Sequence, residues 1–401
     1  MAARRAAAAA MTAARDGIVD DQRETRTLYA LIGLCIANHT VLGGSRVVVT
    51  LSALAQGAGA GQVGVLLALY ALLPMLIAVA AGRWSDRVGV RRPMLVGSVL
   101  LACGASLPCT MEGMAPLYLT AASCGVAFSM FQIAAQNATG ELAGPMHRSR
   151  NFSLLALGQS TSGIIGPLVA GLSIDHLGFA WAFGVLALIP LVPAAILAAG
   201  MLAALPGPQP MHRRIDGGAL ALLADARLRR LLGVNSLFSL GWELQTIFIP
   251  IFGRSIGLSA SAIGAVIAAF AAATFVVRFL MPLFSRRFRE TQVLAGALAI
   301  AGVAYLMLPF AGSAETLMVV SFGIGFGLGG GQPMVMSLLH THAPPGRMGE
   351  AAGVRMSLSQ SLAVAVPLVF GAFGATFGLA PVLWAVGLCL TSGGLYARYR
   401  L

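Results

Sequence analysis

Residues 61–92 read GQVGVLLALYALLPMLIAVAAGRWSDRVGVRR. The first 22 of them carry no charge, and the stretch then turns abruptly basic. About 20 apolar residues are needed for a helix to cross a bilayer. A stretch of that length with a basic flank reads as a membrane span that ends on the cytoplasmic side. The rest of the chain repeats this pattern. Of 401 residues, 58% are hydrophobic and only 10% are charged, with 49 Gly. Mean hydropathy is +0.84. A soluble domain carries about 25% charged residues, so this composition excludes a soluble fold and excludes disorder for most of the chain.

Twelve stretches of spanning length follow one another. They are 27-51, 61-82, 93-111, 116-139, 151-173 and 179-204, then 231-252, 260-284, 291-310, 316-339, 353-373 and 379-397. Residues 1-26 precede them and read as a partly disordered cytoplasmic tail. Residues 205-230 open with Pro206, Pro208 and Pro210 and then turn basic, which marks a cytoplasmic linker. The expected fold is therefore all-α and integral to the membrane. Its twelve helices form two bundles of six, 27-204 and 231-401.

Orientation comes from arginine, because the chain has no Lys. With the N-terminus inside, 23 of the 26 Arg fall on one side, counting Arg347 and Arg355 in the loop after the tenth span. Arg254 alone falls on the other side, and Arg46 and Arg278 lie within spans. Excess Arg marks the cytoplasmic side, so both termini are expected in the cytoplasm. The net charge of +12 is then a topology signal, and no nucleic-acid partner is implied.

The two halves overlay with a shift of 200 residues. Gly64 matches Gly264, Ser85 and Arg87 match Ser285 and Arg287, and Gly125 and Gln132 match Gly325 and Gln332. Pro167 and Gly171 match Pro367 and Gly371. A parallel repeat of six helices is the layout of a two-halved secondary transporter.

The basic loop Gly82-Arg83-Trp84-Ser85-Asp86-Arg87-Val88-Gly89-Val90-Arg91-Arg92 resembles the signature loop of the major facilitator superfamily, Gly-x-x-x-Asp-Arg-x-Gly-x-Arg-Arg. The resemblance extends over everything after residue 26. Gly82 permits close helix contact and Gly89 a tight turn. The resemblance implies that Asp86 is a conformational latch at the start of helix 11, with Arg87 and Arg91 as charge partners. Trp84 and Val90 depart from the family pattern. Ser162-Gly163-Ile164-Ile165-Gly166-Pro167-Leu168-Val169-Ala170-Gly171 resembles the family's helix-5 antiporter motif. Gly166, Pro167 and Gly171 are kept there, while Ser162 and Ala170 replace two Gly. That motif implies export, and its small residues allow flat packing on a neighbour.

Charges within spans are costly, so each is a candidate. Glu243 is the only acid near the centre of any span. Asn235, Ser239, Glu243 and Thr246 recur at helical spacing and give helix 7 one polar face. Glu243 could bind and release a proton as the site alternates between aqueous phases, and His39 is a second protonatable candidate. Arg46 would recognise an anionic group or pair with Glu243. Arg278 would either snorkel to the cytoplasmic side or face a cavity. Asn38, Gln132, Gln136, Gln332 and Trp242 complete the expected substrate cavity. The resemblance implies that this cavity is lined by helices 1, 4, 7 and 10.

A membrane-embedded enzyme would need a cluster of acids or histidines, which is missing from the spans. ATP-driven transport would need the Lys of a phosphate-binding loop. The five Cys form no close metal-type pair, and neither a metal nor a cofactor is expected. The expectation is a monomeric, multi-pass transporter of a bacterial inner membrane. It would export a small amphipathic compound, such as a drug or siderophore-like metabolite, against protons. Import of a small organic acid or other nutrient is the alternative. A non-transporting scaffold or sensor is the alternative of another class.

Overall fold

The structure, a computed structural model, describes residues 2–142, 144–202, 205, 207, 224–342 and 348–400. Among them there is no β-strand. The helices are α1 (Ala2–Ala55), α2 (Ala60–Val88), α3 (Arg91–Thr110), α4 (Met114–Glu141), α5 (Gly144–Leu177), α6 (Phe179–Leu188) and α7 (Leu191–Ala198). They continue with α8 (Ala226–Ser255), α9 (Ala260–Arg287), α10 (Glu290–Met307), α11 (Ala314–Gly329), α12 (Gly331–His342), α13 (Met348–Phe377) and α14 (Leu379–Arg400).

Among the described residues, eleven helical segments are long and apolar enough to cross a membrane. The expected seventh span, 231-252, is present as α8 but is not among them. Asn235, Glu243 and Gln245 sit in its middle and dilute its apolar character. The expected sixth span divides into α6 and α7 at Ile189–Pro190, where proline has no N–H to continue the ladder. The tenth divides into α11 and α12 at Gly329–Gly331. Residues 1-26 were expected to be partly disordered, but α1 begins at Ala2. The run Ala6–Ala10 has the highest helix propensity of any residue type, and helix continues through it. Most of the 205-230 linker lies outside the described residues.

Large apolar side chains such as Leu76, Phe279 and Val319 are exposed, as lipid-facing positions must be. Inside, where lipid gives helices no hydrophobic reason to associate, packing and interhelical hydrogen bonds hold them. Thr120 Oγ1 on α4 donates to Gly104 O on α3 at 2.9 Å. Gln245 Nε2 on α8 donates to Ser321 Oγ on α11 at 2.9 Å.

Two helix crossings repeat one geometry. A β-carbon on Gly64 of α2 would collide with the carbonyl oxygen of Pro367 on α13 and sit 3.6 Å from the Gly371 Cα. A β-carbon on Gly264 of α9 would collide with the carbonyl oxygen of Pro167 on α5 and sit 3.6 Å from the Gly171 Cα. Residues matched by the 200-residue shift thus make matched contacts, each across to the other half of the sequence. Gly57 and Gly257 carry the same left-handed turn, at φ 84° and 80°. The α5–α9 crossing has an added clasp. Asp175 Oδ1 and Oδ2 accept hydrogen bonds from Ala260 N at 3.1 Å and Ser261 N at 2.7 Å. A carboxylate at the first turn of a helix satisfies N–H groups that have no partner within it.

Both crossings should fail when a side chain is forced between them. Gly64→Val or Gly264→Val should lower the thermal midpoint of the detergent-purified protein, at a cost of about 1–3 kcal/mol as for other overpacked interiors. Gly33→Ala is the control, because nothing lies within 4 Å of its β-carbon position. Midpoints that fall equally for all three would show that the crossings are not close-packed in solution.

Candidate functional site

A cavity of about 380 Å³ lies between α1, α4, α5, α8, α9, α11, α12 and α13. Its position along the helices is set by the crossings. On α5 it is lined at Gln159, Ser160 and Gly163, before Pro167 and Gly171. On α9 it is lined at Ala271, Thr274 and Arg278, after Gly264. On α13 it is lined from Arg355 to Gln360, before Pro367 and Gly371. The crossings therefore occupy one end of the helices and the cavity lies toward the other. From Gly264 to Arg278 the rise is about 21 Å at 1.5 Å per residue. Two larger hollows, of about 460 and 530 Å³, lie elsewhere. The first is lined by Ser52, Gln56 and Glu112 among apolar residues near the ends of α1 and α3, and the second by apolar side chains on α8, α13 and α14. The 380 Å³ cavity is the one of the three that holds both acidic and basic side chains among polar walls.

Of the residues singled out from the sequence, His39, Gln136, Asn235, Trp242, Glu243 and Gln332 line this cavity together. Arg46 reaches it through Glu243, with Nη1 4.0 Å from Oε2. The pair joins α1 to α8, and both side chains are largely buried, at 20% and 17% exposure. The Arg46 guanidinium also lies over the Tyr70 ring, 5.4 Å from its centroid, a cation–π contact. Tyr70 Oη in turn donates to Ser45 Oγ at 3.1 Å. His39 stands edge-on to Phe128 at 4.6 Å, and Trp242 packs edge-on to Phe270 at 4.9 Å. Asn235 Nδ2 donates to Ser359 Oγ at 3.1 Å, and Ser239 and Ser359 hydroxyls are 3.0 Å apart. These bonds tie α8 to α13 along the cavity wall.

Other expected residues go elsewhere. Asn38 is fully buried against α3 and donates to Leu34 O and Ser98 Oγ. Gln132 is buried in α4 away from the cavity, while its repeat partner Gln332 lines it. Arg278 does not snorkel. It donates from Nε to Gly329 O, and from Nη1 to Ala156 O and Ser160 Oγ. Arg91 was expected as a charge partner of Asp86. Its Nε and Nη2 donate to the carbonyls of Leu197 and Ala198 at 2.7 and 2.9 Å, capping the end of α7. Arg87 is exposed and Gly82 is half-buried on α2, and Gly89 closes that helix at φ 80°. The Asp86 side chain lies outside the described residues. In the helix-5 motif, Gly166 serves α1: a β-carbon there would sit 2.6 Å from Thr40 O. Pro167 and Gly171 serve α9.

Sequence reading missed Arg355 as a cavity residue by counting it in a loop. It lies in the first turns of α13 and faces the cavity. The signal was its position three residues inside the expected span and one turn before Ser359. Among the described residues no cluster of His, Cys, Asp and Glu could hold a metal ion.

The Arg46–Glu243 contact predicts coupled stabilities. Removing one member of a buried pair leaves the other charge unmatched in an apolar interior. Arg46→Gln and Glu243→Gln should each destabilise the protein. The double variant should be more stable than the sum of the singles by about 0.5–3 kcal/mol. A thermodynamic cycle from denaturation midpoints reads this directly, and strict additivity would sink the pairing.

A sequence model described as the Major Facilitator Superfamily matches residues 31–367. The chain is 29% identical over 361 residues to the tetracycline resistance protein, class G, of Vibrio anguillarum, covering 82% of this chain and 86% of that one. It is 27% identical to the class C tetracycline resistance protein of Escherichia coli, covering 82% and 85%. Among solved structures, a POT family transporter in complex with 5-aminolevulinic acid superposes with a TM-score of 0.77 at 13% identity. The match covers 92% of this chain and 95% of that one. A POT peptide transporter in complex with sulfate superposes at 0.76 and 15%, covering 93% of each. At such identities these two speak to the fold alone.

Proposed function

The chain belongs to the Major Facilitator Superfamily, a family of membrane transporters rather than enzymes, and we propose that it is a proton-coupled exporter of a small amphipathic organic compound. In this reading twelve spans, α8 included, form two six-helix halves, 27-204 and 231-401, joined by a cytoplasmic linker at 205-230. Both termini face the cytoplasm of a bacterial cell, and the protein works as a monomer in the inner membrane. The Arg distribution supports that orientation. On that orientation the cavity end is the cytoplasmic end, and this reading makes the state inward-facing. Rocking of the halves about the cavity would break the α2–α13 and α5–α9 crossings and release cargo outside.

The single observation that carries the reading is Glu243 in the cavity wall, paired across the halves with Arg46. A proton on Glu243 would remove the charge that Arg46 holds and weaken the contact between α1 and α8. Cargo and proton would thus compete through one interhelical pair. His39, on α1 but in the same cavity, is the second candidate for proton transfer. Asp86 is proposed as the latch of the opposite, outward-facing state.

Direction rests on two supports. The helix-5 segment Gly166, Pro167 and Gly171 is engaged at a closed end, as the antiporter motif implies. Relatives that align with 82% of the chain at 27–29% identity are named for tetracycline resistance, and a transporter can confer resistance by carrying the compound out. The compound carried here is a separate matter.

Deleting the gene from its native cell and comparing metabolites inside and outside tests this without a guess about cargo. A compound should accumulate inside and be freed by wild type but not by Glu243→Gln. In proteoliposomes the same variant should lose uphill transport driven by a pH gradient by tenfold or more, while exchange down a cargo gradient persists. A compound left in the medium would make this an importer, and full complementation by Glu243→Gln would remove it from the coupling role. Asp175→Ala should also shift the protein toward the outward-open state. A cysteine introduced at Ile263, fully buried near the start of α9, in a Cys-free background would then label faster from outside, and unchanged labelling would exclude Asp175 from closure.

A further inference from the structure

The cavity's charges do not balance. Among the described residues, three ionised side chains line it: Glu243, Arg278 and Arg355. Glu243 already has a cation, Arg46, at 4.0 Å. That leaves two guanidinium groups facing the cavity without a carboxylate. Arg278 donates only to neutral acceptors, Gly329 O, Ala156 O and Ser160 Oγ. Arg355 is less satisfied still, for its Nε is buried and has no hydrogen-bond partner. A cation held in a low-dielectric interior without a counter-charge is costly, and a buried donor left unpaired adds to that cost. Arg278 ties α9 to α5 and to the end of α11 through its hydrogen bonds, but neutral acceptors do not balance its charge. The α8–α13 contact beside Arg355 is made by Asn235, Ser239 and Ser359.

We propose that the cargo carries an acidic group, a carboxylate or similar monoanion, and that Arg355 with Arg278 forms the subsite that receives it. The proposal rests on the reading of this cavity as the transport site. A guanidinium presents planar paired donors that match a carboxylate. Trp242, Phe238, Leu328 and Met356 supply apolar wall around the same space, so the remainder of the cargo is an apolar or aromatic body. The cavity volume of about 380 Å³ suits a molecule of one to three rings. The anion would balance what Glu243 cannot, because Arg46 occupies that carboxylate.

The test uses purified full-length protein in chloride-free buffer and matched probes of one shape and different charge. 2-Naphthoate, 2-naphthamide and 2-naphthylmethylammonium are titrated while the fluorescence of the cavity residue Trp242 and the thermal midpoint are followed. Wild type should bind the carboxylate at least tenfold tighter than the amide and should reject the ammonium. Arg355→Gln and Arg278→Gln should each bring the ratio of acid to amide toward one. Arg355→Lys, which keeps the charge but not the fork, should retain part of it, and size-exclusion profiles show which variants are folded.

A panel in which the acid binds no tighter than its amide overturns the proposal. So does a preference unchanged in both glutamine variants. Stabilisation by chloride or phosphate with none by the carboxylate would assign the subsite to a resident inorganic ion, and that also overturns it. The failure of the transport reading looks different. If deletion and complementation move no compound, that reading falls whatever the purified protein binds. If they move a neutral or cationic compound, transport stands and the acidic cargo does not.

Discussion

The rest of the molecule depends on two places where backbone touches backbone, Gly64 against Pro367 and Gly264 against Pro167. Lipid removes the hydrophobic drive that assembles helices in water, so contact area must come from close approach. Glycine on one helix and a proline carbonyl on the other allow it. Where α2 meets α13 and α5 meets α9, the helices are brought together at one end. The same helices further along can then leave room for polar side chains, and the cavity lies there. Its location follows from the crossings before any polar residue is considered.

Much of this was legible in the sequence. The spacing of apolar stretches located every helix that forms the cavity, and the 200-residue shift picked out Gly64 and Gly264, Pro167 and Pro367, and Gly171 and Gly371. The shift did not show that each member touches the repeat partner of another, since a period gives equivalence and not contact. Glu243 and Arg46 were legible because ionised residues are rare in spans. Arg355 was missed because it stands at the third position of its span, where hydropathy does not separate a flanking loop arginine from one on the first turns of the helix. Asn38 and Arg91 show a different limit. Both sit at positions where a polar side chain reads as functional. In the structure Asn38 hydrogen-bonds α3, and Arg91 caps the end of α7. A single sequence does not separate a polar group aimed at a cavity from one that satisfies a neighbouring helix.

The α8 helix shows how function and span strength trade against each other. Its polar face carries Asn235, Ser239 and Glu243, and those residues are why it falls outside the eleven strongly apolar segments. A helix inserted alone would suffer for each of them. In the bundle each has a partner: Ser359 serves Asn235 and Ser239, and Arg46 serves Glu243. The polarity that weakens α8 as a span is what builds the cavity wall.

The symmetry of the two crossings is incomplete in one respect with mechanical meaning. Asp175 clasps the first turn of α9 through two backbone N–H groups. The repeat shift places Ala375 at the corresponding position on α13, and alanine has no acceptor to offer the first turn of α2. The two crossings therefore share the same packing, and among the described residues the charge-assisted clasp is found at α5–α9. Packing contacts fall off steeply with separation, whereas a carboxylate facing N–H groups at a helix start still attracts over several ångströms. An opening motion would meet less resistance at α2–α13, with the α5–α9 side as the pivot. Because Asp175 is exposed, water competes for its carboxylate from the outset. The clasp can thus hold the closed end without locking it, as a cycle of repeated opening requires.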